Sequence, residues 1–235
     1  TSLQVTANIF GQEFTIDTFP YQEQDRAVAA CATTALWTTL GKLSELFDTN
    51  CQLCPAEVHS KATETMIGYK KKYPSSGLSI LQIISFYKQL GLEVNYLDCN
   101  GKDSEIILGY IYSFLKLEIP IIAHIALKKG HIKEHHAVTL VGCDIKSNGD
   151  KNKANRINRI YIQDDVLGPF SKVKLSRSNP TSWRCRWNTE NLPDRTSYND
   201  VELIELITPV YNKLRVPFIP LYRHLSKTSQ LRQQK

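Results

Sequence analysis

Several absences narrow what this chain can be. No apolar run reaches the roughly 20 residues that a membrane-spanning helix needs, because charged or turn residues interrupt the longest stretches every few positions. The opening segment, TSLQVTANIFGQEF, has no basic region followed by an apolar core, so it does not read as a secretory signal. Met66 is the sole methionine, and the chain is expected to be processed, trimmed or a piece of something longer. There is no internal repeat, no low-complexity tract and no Pro/Gly/Ser-rich linker, which argues for one folded unit with two lobes. Cysteine is too sparse for a disulfide scaffold: six residues, at 31, 51, 54, 99, 143 and 185, in a chain of 235. They read as mostly reduced thiols in a cytoplasmic setting.

What is present is ordinary for a soluble globular protein, with 42% hydrophobic and 22% charged residues, and the length suffices for a sizeable core. The net charge of +6 is uneven. Residues 1–50 set Arg26 and Lys42 against six acids, whereas from residue 206 onward there are Lys213, Arg215, Arg223, Lys227, Arg232 and Lys235 and no acid. The expected organisation is a domain over 1–212 and a basic C-terminal tail, or the start of a following segment, over 213–235. Such a tail could meet nucleic acid or an acidic partner, but a solvated, partly disordered end is the simpler reading. No membrane partner is expected, and nucleic acid is disfavoured.

Periodicity places the elements. LQVTANIFGQEFTI alternates around Gly11 and reads as a hairpin. Between Cys31 and Phe47, apolar residues 32, 35, 36, 40, 43 and 47 recur at helical spacing. Pro55 opens a second helix running toward the lysines at 70–72, and a third helix closes near Gly91 before a strand. DSEIILGYIYSFLKLEI is a helix capped by Asp103 or Ser104. The pattern then changes: PIIAHIAL, HAVTLVGCDI, RIYIQDD and VELIELITPVY are short β-rich runs set apart by polar loops. Helices in the first half and strands in the second predict an α+β fold, a helical lobe packed on a mostly antiparallel sheet lobe.

One set of residues carries chemistry. A thiol nucleophile needs a base, a group to orient that base, and donors for an oxyanion. Cys31 opens a helix, whose N-terminus stabilises a thiolate. His136 heads the strand HAVTLVG, and Asp164 and Asp165 close the next strand. Antiparallel pairing would bring a carboxylate beside His136, fixing the imidazole tautomer. Gln24, seven residues ahead of Cys31, could donate its amide to an oxyanion together with the Cys31 N–H. Taken singly, each has a plainer reading: a buried packing cysteine, a strand histidine, a turn-capping acid pair. Their order along the chain is what raises the joint case.

The segments QDRAVAACATTALW, GLSILQIISFYKQLGLEV, IPIIAHIALKKGHIKEHHAVTLVGCD and IYIQDDVLGPF together resemble the papain-like cysteine peptidase superfamily, most closely its bacterial C39-like branch. The resemblance implies a papain-like fold and a thiol protease acting on a polypeptide substrate without a cofactor. It assigns Cys31 as nucleophile, His136 as base, Asp164 as the orienting acid and Gln24 as oxyanion donor. The run from Asp164 to Gly168 resembles the family's segment after the acid, and that resemblance implies Asp164 over Asp165. The Gln–Cys spacing is one residue longer than the family's, with Gln22 as the alternative, and AVAA replaces the usual glycine-bearing turn. His135 is set aside because neighbouring strand residues point to opposite faces. A transglutaminase, deamidase or acyltransferase on the same fold, or an idle binding module, are the alternatives.

Two further motifs compete for attention. CQLCPAEVH, with Cys51, Cys54 and His59, has the spacing of half a zinc site, with Cys99 as a fourth ligand, but incidental cysteines in a helix-capping loop explain it as well. Trp183, Cys185 and Trp187 alternate as an amphipathic strand would, with aromatics along one side of a cleft as the other reading.

Overall fold

The computed structural model describes residues 2–23, 30–49, 51–64, 77–129, 131–147, 149, 151–175, 182–184, 200–214 and 217–233. The first two strands, β1 (Leu3–Ile9) and β2 (Gln12–Thr18), form the hairpin that the alternation predicts. Phe10 and Gly11 join them with φ of 51° and 82°, the pair of positive values that a type I′ turn requires.

Three helices follow, α1 (Cys31–Phe47), α2 (Pro55–Glu64) and α3 (Ile80–Gln89), then β3 (Leu92–Asp98) and α4 (Ser104–Lys116). The second half is β4 (Ile121–Lys129), β5 (Ile132–Ile145), a short 3-10 turn (Lys153–Arg156), β6 (Ile157–Asp164), β7 (Gly168–Leu175), β8 (Ser182–Arg184) and β9 (Asp200–Tyr211), closed by α5 (Phe218–Gln233). The fold is α+β with a mostly antiparallel sheet. None of the helices described is long and apolar enough to cross a membrane.

The main sheet runs β3-β9-β4-β5-β6-β7-β8, and each of these pairings is antiparallel. β8 also pairs with β9, through Ser182 opposite Glu202 and Trp183 opposite Val201, so the ladder returns on itself with β3 outside the ring. Cys185 and Trp187 lie outside the described residues, so only Trp183 of the expected aromatic alternation is placed. β7 was not expected: Gly168, Pro169 and two lysines dilute its strand signal.

The helices divide between the two sheet faces instead of gathering on one side. The reason is in the strands, which are apolar in both directions. Ile121, Ala123, Ile125, Val138, Leu140, Ile160 and Ile162 form one core with Ile107, Tyr110 and Ile111 of α4. Ile122, Ala137 and Ile207 form the other with Leu36, Leu40 and Leu43 of α1 and Phe86 and Tyr87 of α3. A strand buried on both faces needs cover on both.

The basic C-terminal end is also more structured than the solvated tail expected from composition. Phe218 of α5 lies 5.0 Å from the Tyr110 ring and 5.5 Å from Tyr222, ring centre to ring centre. Tyr222 approaches α4 so closely at Gly109 that a Cβ there would lie 2.7 Å from its ring.

Side-chain hydrogen bonds help to hold α1 in place. Thr38 Oγ1 donates to Pro20 O (3.2 Å) and Trp37 Nε1 to Leu53 O (3.0 Å). Thr39 shares a 2.9 Å hydrogen bond with the Tyr87 hydroxyl of α3. Thr139 Oγ1 of β5 donates to Ala35 O of α1 (3.0 Å), tying the strand of His136 to the helix of Cys31. Replacing Thr139 with valine keeps the shape and removes this bond. Thr139→Val is expected to lower stability by about 1 kcal/mol, read as a lower urea midpoint at unchanged slope.

Candidate active site

Cys31 is the first residue of α1, and Ala30 occupies the N-cap with no side-chain cap bond. The helix therefore begins without a side-chain cap, its first N–H groups beside a half-buried thiol. On β5, neighbouring histidines part company. His135 points to His124, and its imidazole is held below its ordinary value by burial first, then by His124 and Lys133. His136 is buried, hydrogen-bonds with Asp164 at the end of β6, and stands near enough to Cys31 for the thiol to act on its imidazole.

The structure thus brings Cys31, His136 and Asp164 together. The distance from His136 Nε2 to Asp164 Oδ2 is 3.2 Å. The other oxygen of Asp164, Oδ1, accepts the backbone N–H of Val166 (2.8 Å) and Leu167 (2.9 Å). Asp165 Oδ1 lies 3.4 Å from the same Nε2 but makes no hydrogen bond among the described residues. Of the two acids, Asp164 is the one that engages the imidazole through a hydrogen bond. Gln24 lies outside the described residues; Gln22 is exposed.

The electrostatics follow from burial set against pairing. Desolvation alone would lower the His136 imidazole, but the hydrogen bond to Asp164 and the nearby Cys31 thiol outweigh it and hold the ring well above its ordinary value. Desolvation would likewise raise Asp164, yet the His136 bond and the Leu167 and Val166 donors hold its carboxyl below the usual range. Asp165 has burial without those donors. Its desolvation, with the Asp164 charge next to it and only partly offset by His136, leaves the carboxyl pushed up to about 6.

Between α1 and β6 is a void of about 10 Å³, lined by Tyr21, Cys31, Thr34, Gln163, Asp164 and Asp165 among others, room for about one water. Gln163 is 4% exposed, and neither its amide oxygen nor its nitrogen has a hydrogen-bond partner among the described residues. Sequence reasoning passed over Gln163. Its signal was a glutamine inside an otherwise buried strand, directly before the acid pair of IYIQDD.

One group of potential metal ligands stands out among the described residues: His136, Asp164 and Asp165, with ligand atoms within 4.8 Å of one another. Cys51, Cys54, His59 and Cys99 form no such group among the described residues, in line with incidental cysteines in a helix-capping loop. Cys99 is fully buried with its thiol directed to Leu97 O (3.9 Å), His59 Nδ1 meets Thr33 Oγ1 (3.2 Å), and Cys54 is exposed.

No family model matches the chain, and no curated protein sequence matches it significantly.

Asp165 gives a stability test whose sign is fixed. Its carboxyl is raised from about 4 in the unfolded chain to about 6 when folded. Ionising it in place therefore disfavours the fold, an effect absent below pH 4 and complete above pH 6. Asp165→Asn is expected to stabilise the protein by roughly 1–3 kcal/mol at pH 8, with the gain vanishing toward pH 4. Denaturation midpoints of both proteins across that range check it.

Proposed function

We propose that this protein is a cysteine-nucleophile hydrolase of the papain-like type, a peptidase that cleaves a polypeptide amide bond through a thioester. The observation that carries the reading is the convergence of Cys31 on the buried pair of His136 and Asp164, whose imidazole and carboxylate share a 3.2 Å hydrogen bond. Support also comes from their placement: a helix start, a strand and a strand end, in the order that the papain-like resemblance implies.

In this reading His136 Nε2–H donates to Asp164 Oδ2, which leaves Nδ1 to take the Cys31 proton. The resulting imidazolium is favoured by the same carboxylate that holds the ring above its ordinary value. The thiolate attacks the substrate carbonyl carbon, and the tetrahedral oxyanion meets the Cys31 N–H at the start of α1. His136 returns the proton to the departing amine, leaving a thioester. Water, deprotonated by His136, then attacks the thioester, releasing the acid and restoring the thiol. An amine in place of that water would give transfer, so the transferase and deamidase readings share every residue up to this point.

A second reading rests on the same atoms. His136, Asp164 and Asp165 have the donor set of a divalent-metal site, with one imidazole and two carboxylates. A metal hydrolase would lose activity to a chelator and keep it after thiol alkylation; the cysteine reading expects the reverse.

Iodoacetamide at neutral pH is expected to label Cys31 well ahead of Cys51, Cys54, Cys99 and Cys143, and His136→Ala is expected to abolish that preference. In a proteome-wide terminal-labelling assay, wild type should generate new termini that Cys31→Ala does not, corresponding to a loss of roughly 10⁴-fold or more in turnover. Uniform labelling across the thiols together with identical termini from both proteins would sink the proposal.

A further inference from the structure

On the sheet face that carries α1, four polar side chains make a second connected group. Tyr96 on β3 donates its hydroxyl to Glu205 Oε1 (2.5 Å). Glu205 Oε2 accepts from His124 Nδ1 of β4 at 2.6 Å, and His124 Nε2 lies 2.9 Å from His135 Nδ1 of β5. The two rings are 5.0 Å apart, centre to centre, and tilted by 36°.

The backbone builds this arrangement. In the β4–β5 ladder His124 is opposite Ala137 and Ala126 is opposite His135, which makes the two histidines diagonal neighbours on one face. The β4–β9 register slips between His124, opposite Glu205, and Ile125, opposite Leu203. Ile204 is the extra residue of the bulge, and its carbonyl accepts the Cys99 N–H (2.9 Å). His124 and Glu205 are thus a directly opposite cross-strand pair, the last before the slip, which sets the carboxylate against the back of His124.

We infer that His124 and His135 form a binding site for a borderline divalent cation of the Zn²⁺ class, with Glu205 as the carboxylate behind His124. The reasoning is geometric. A histidine that ligates a metal through one nitrogen almost always donates the other N–H to a carboxylate, a backbone carbonyl or water, and the 2.6 Å contact from Nδ1 to Glu205 supplies that support, leaving the Nε2 lone pair directed at His135. Two imidazole nitrogens on a tetrahedral Zn²⁺ lie roughly 3.3 Å apart. The observed 2.9 Å is short of this by a few tenths of an ångström, a shift open to the exposed His135 ring. Water would complete the coordination. Lys128 and Lys133 both bridge to Glu202, at 2.8 and 3.8 Å, which offsets one of their two charges. A bound cation would clip β4 to β5 one residue before His136. The site does not depend on the reading of Cys31.

The test is calorimetric titration of ZnCl₂ into the chelator-treated whole chain carrying Cys31→Ala, Cys51→Ser and Cys54→Ser, so that accessible thiols do not compete. The expected result is one equivalent of Zn²⁺, bound roughly tenfold or more weakly after His124→Ala or His135→Ala and roughly 10- to 100-fold more weakly after Glu205→Gln. Asp164→Asn, which alters the other ligand cluster, should leave the affinity unchanged. Thermal melting without metal checks that each variant is folded, and the exposed His135 keeps at least one of them informative. No binding at millimolar zinc, or an equivalent that survives both histidine substitutions or falls only with Asp164→Asn, overturns the inference.

Discussion

The hydrogen bond between a buried imidazole and a buried carboxylate is the contact on which the rest of the candidate site depends. His136 and Asp164 are 7% and 1% exposed, so each charge, taken alone, would be driven toward its neutral form. Together they reverse that tendency: the imidazole is raised and the carboxyl lowered, each against its own desolvation. Asp165 next door shows what happens without the backbone donors and the direct bond, since its carboxyl is pushed up to about 6. Two adjacent acids in one strand end thus have opposite fates, decided first by which of them hydrogen-bonds the imidazole and then by the Leu167 and Val166 N–H groups.

Such a pair only functions if its supports are rigid. The sheet ladder closes through β8 and β9, α4 packs on one core and α1 with α3 on the other, and Thr139 fastens β5 to α1. The thiol and the ring therefore come from elements held by burial on both sides, and neither is carried on a loose loop.

Much of this was legible in the residues, for physical reasons that also explain the gaps. The span of α1 followed from apolar spacing alone, because its buried stripe is regular from Ala32 to Leu43. The convergence of Cys31, His136 and Asp164 was legible from order along the chain, given the resemblance. Three features were less visible. Helices on both faces required noticing that IPIIAHIAL is apolar at successive and not alternate positions. The docking of α5 turned on Phe218 and Tyr222, one helical turn apart in a segment whose basic charge suggested a solvated end. The His124–Glu205 contact depends on pairing β4 with β9 across 81 residues of sequence, in a register that hydrophobic periodicity does not specify.

Asp164 has a structural burden besides the imidazole. Its Oδ1 gathers the two N–H groups that bend the chain from β6 into β7, while Oδ2 faces the ring. One side chain is at once the knuckle of a reverse turn and a counter-charge. Asparagine there would preserve the knuckle and surrender the charge, whereas alanine would surrender both. The difference between those two variants separates architecture from electrostatics at a single position.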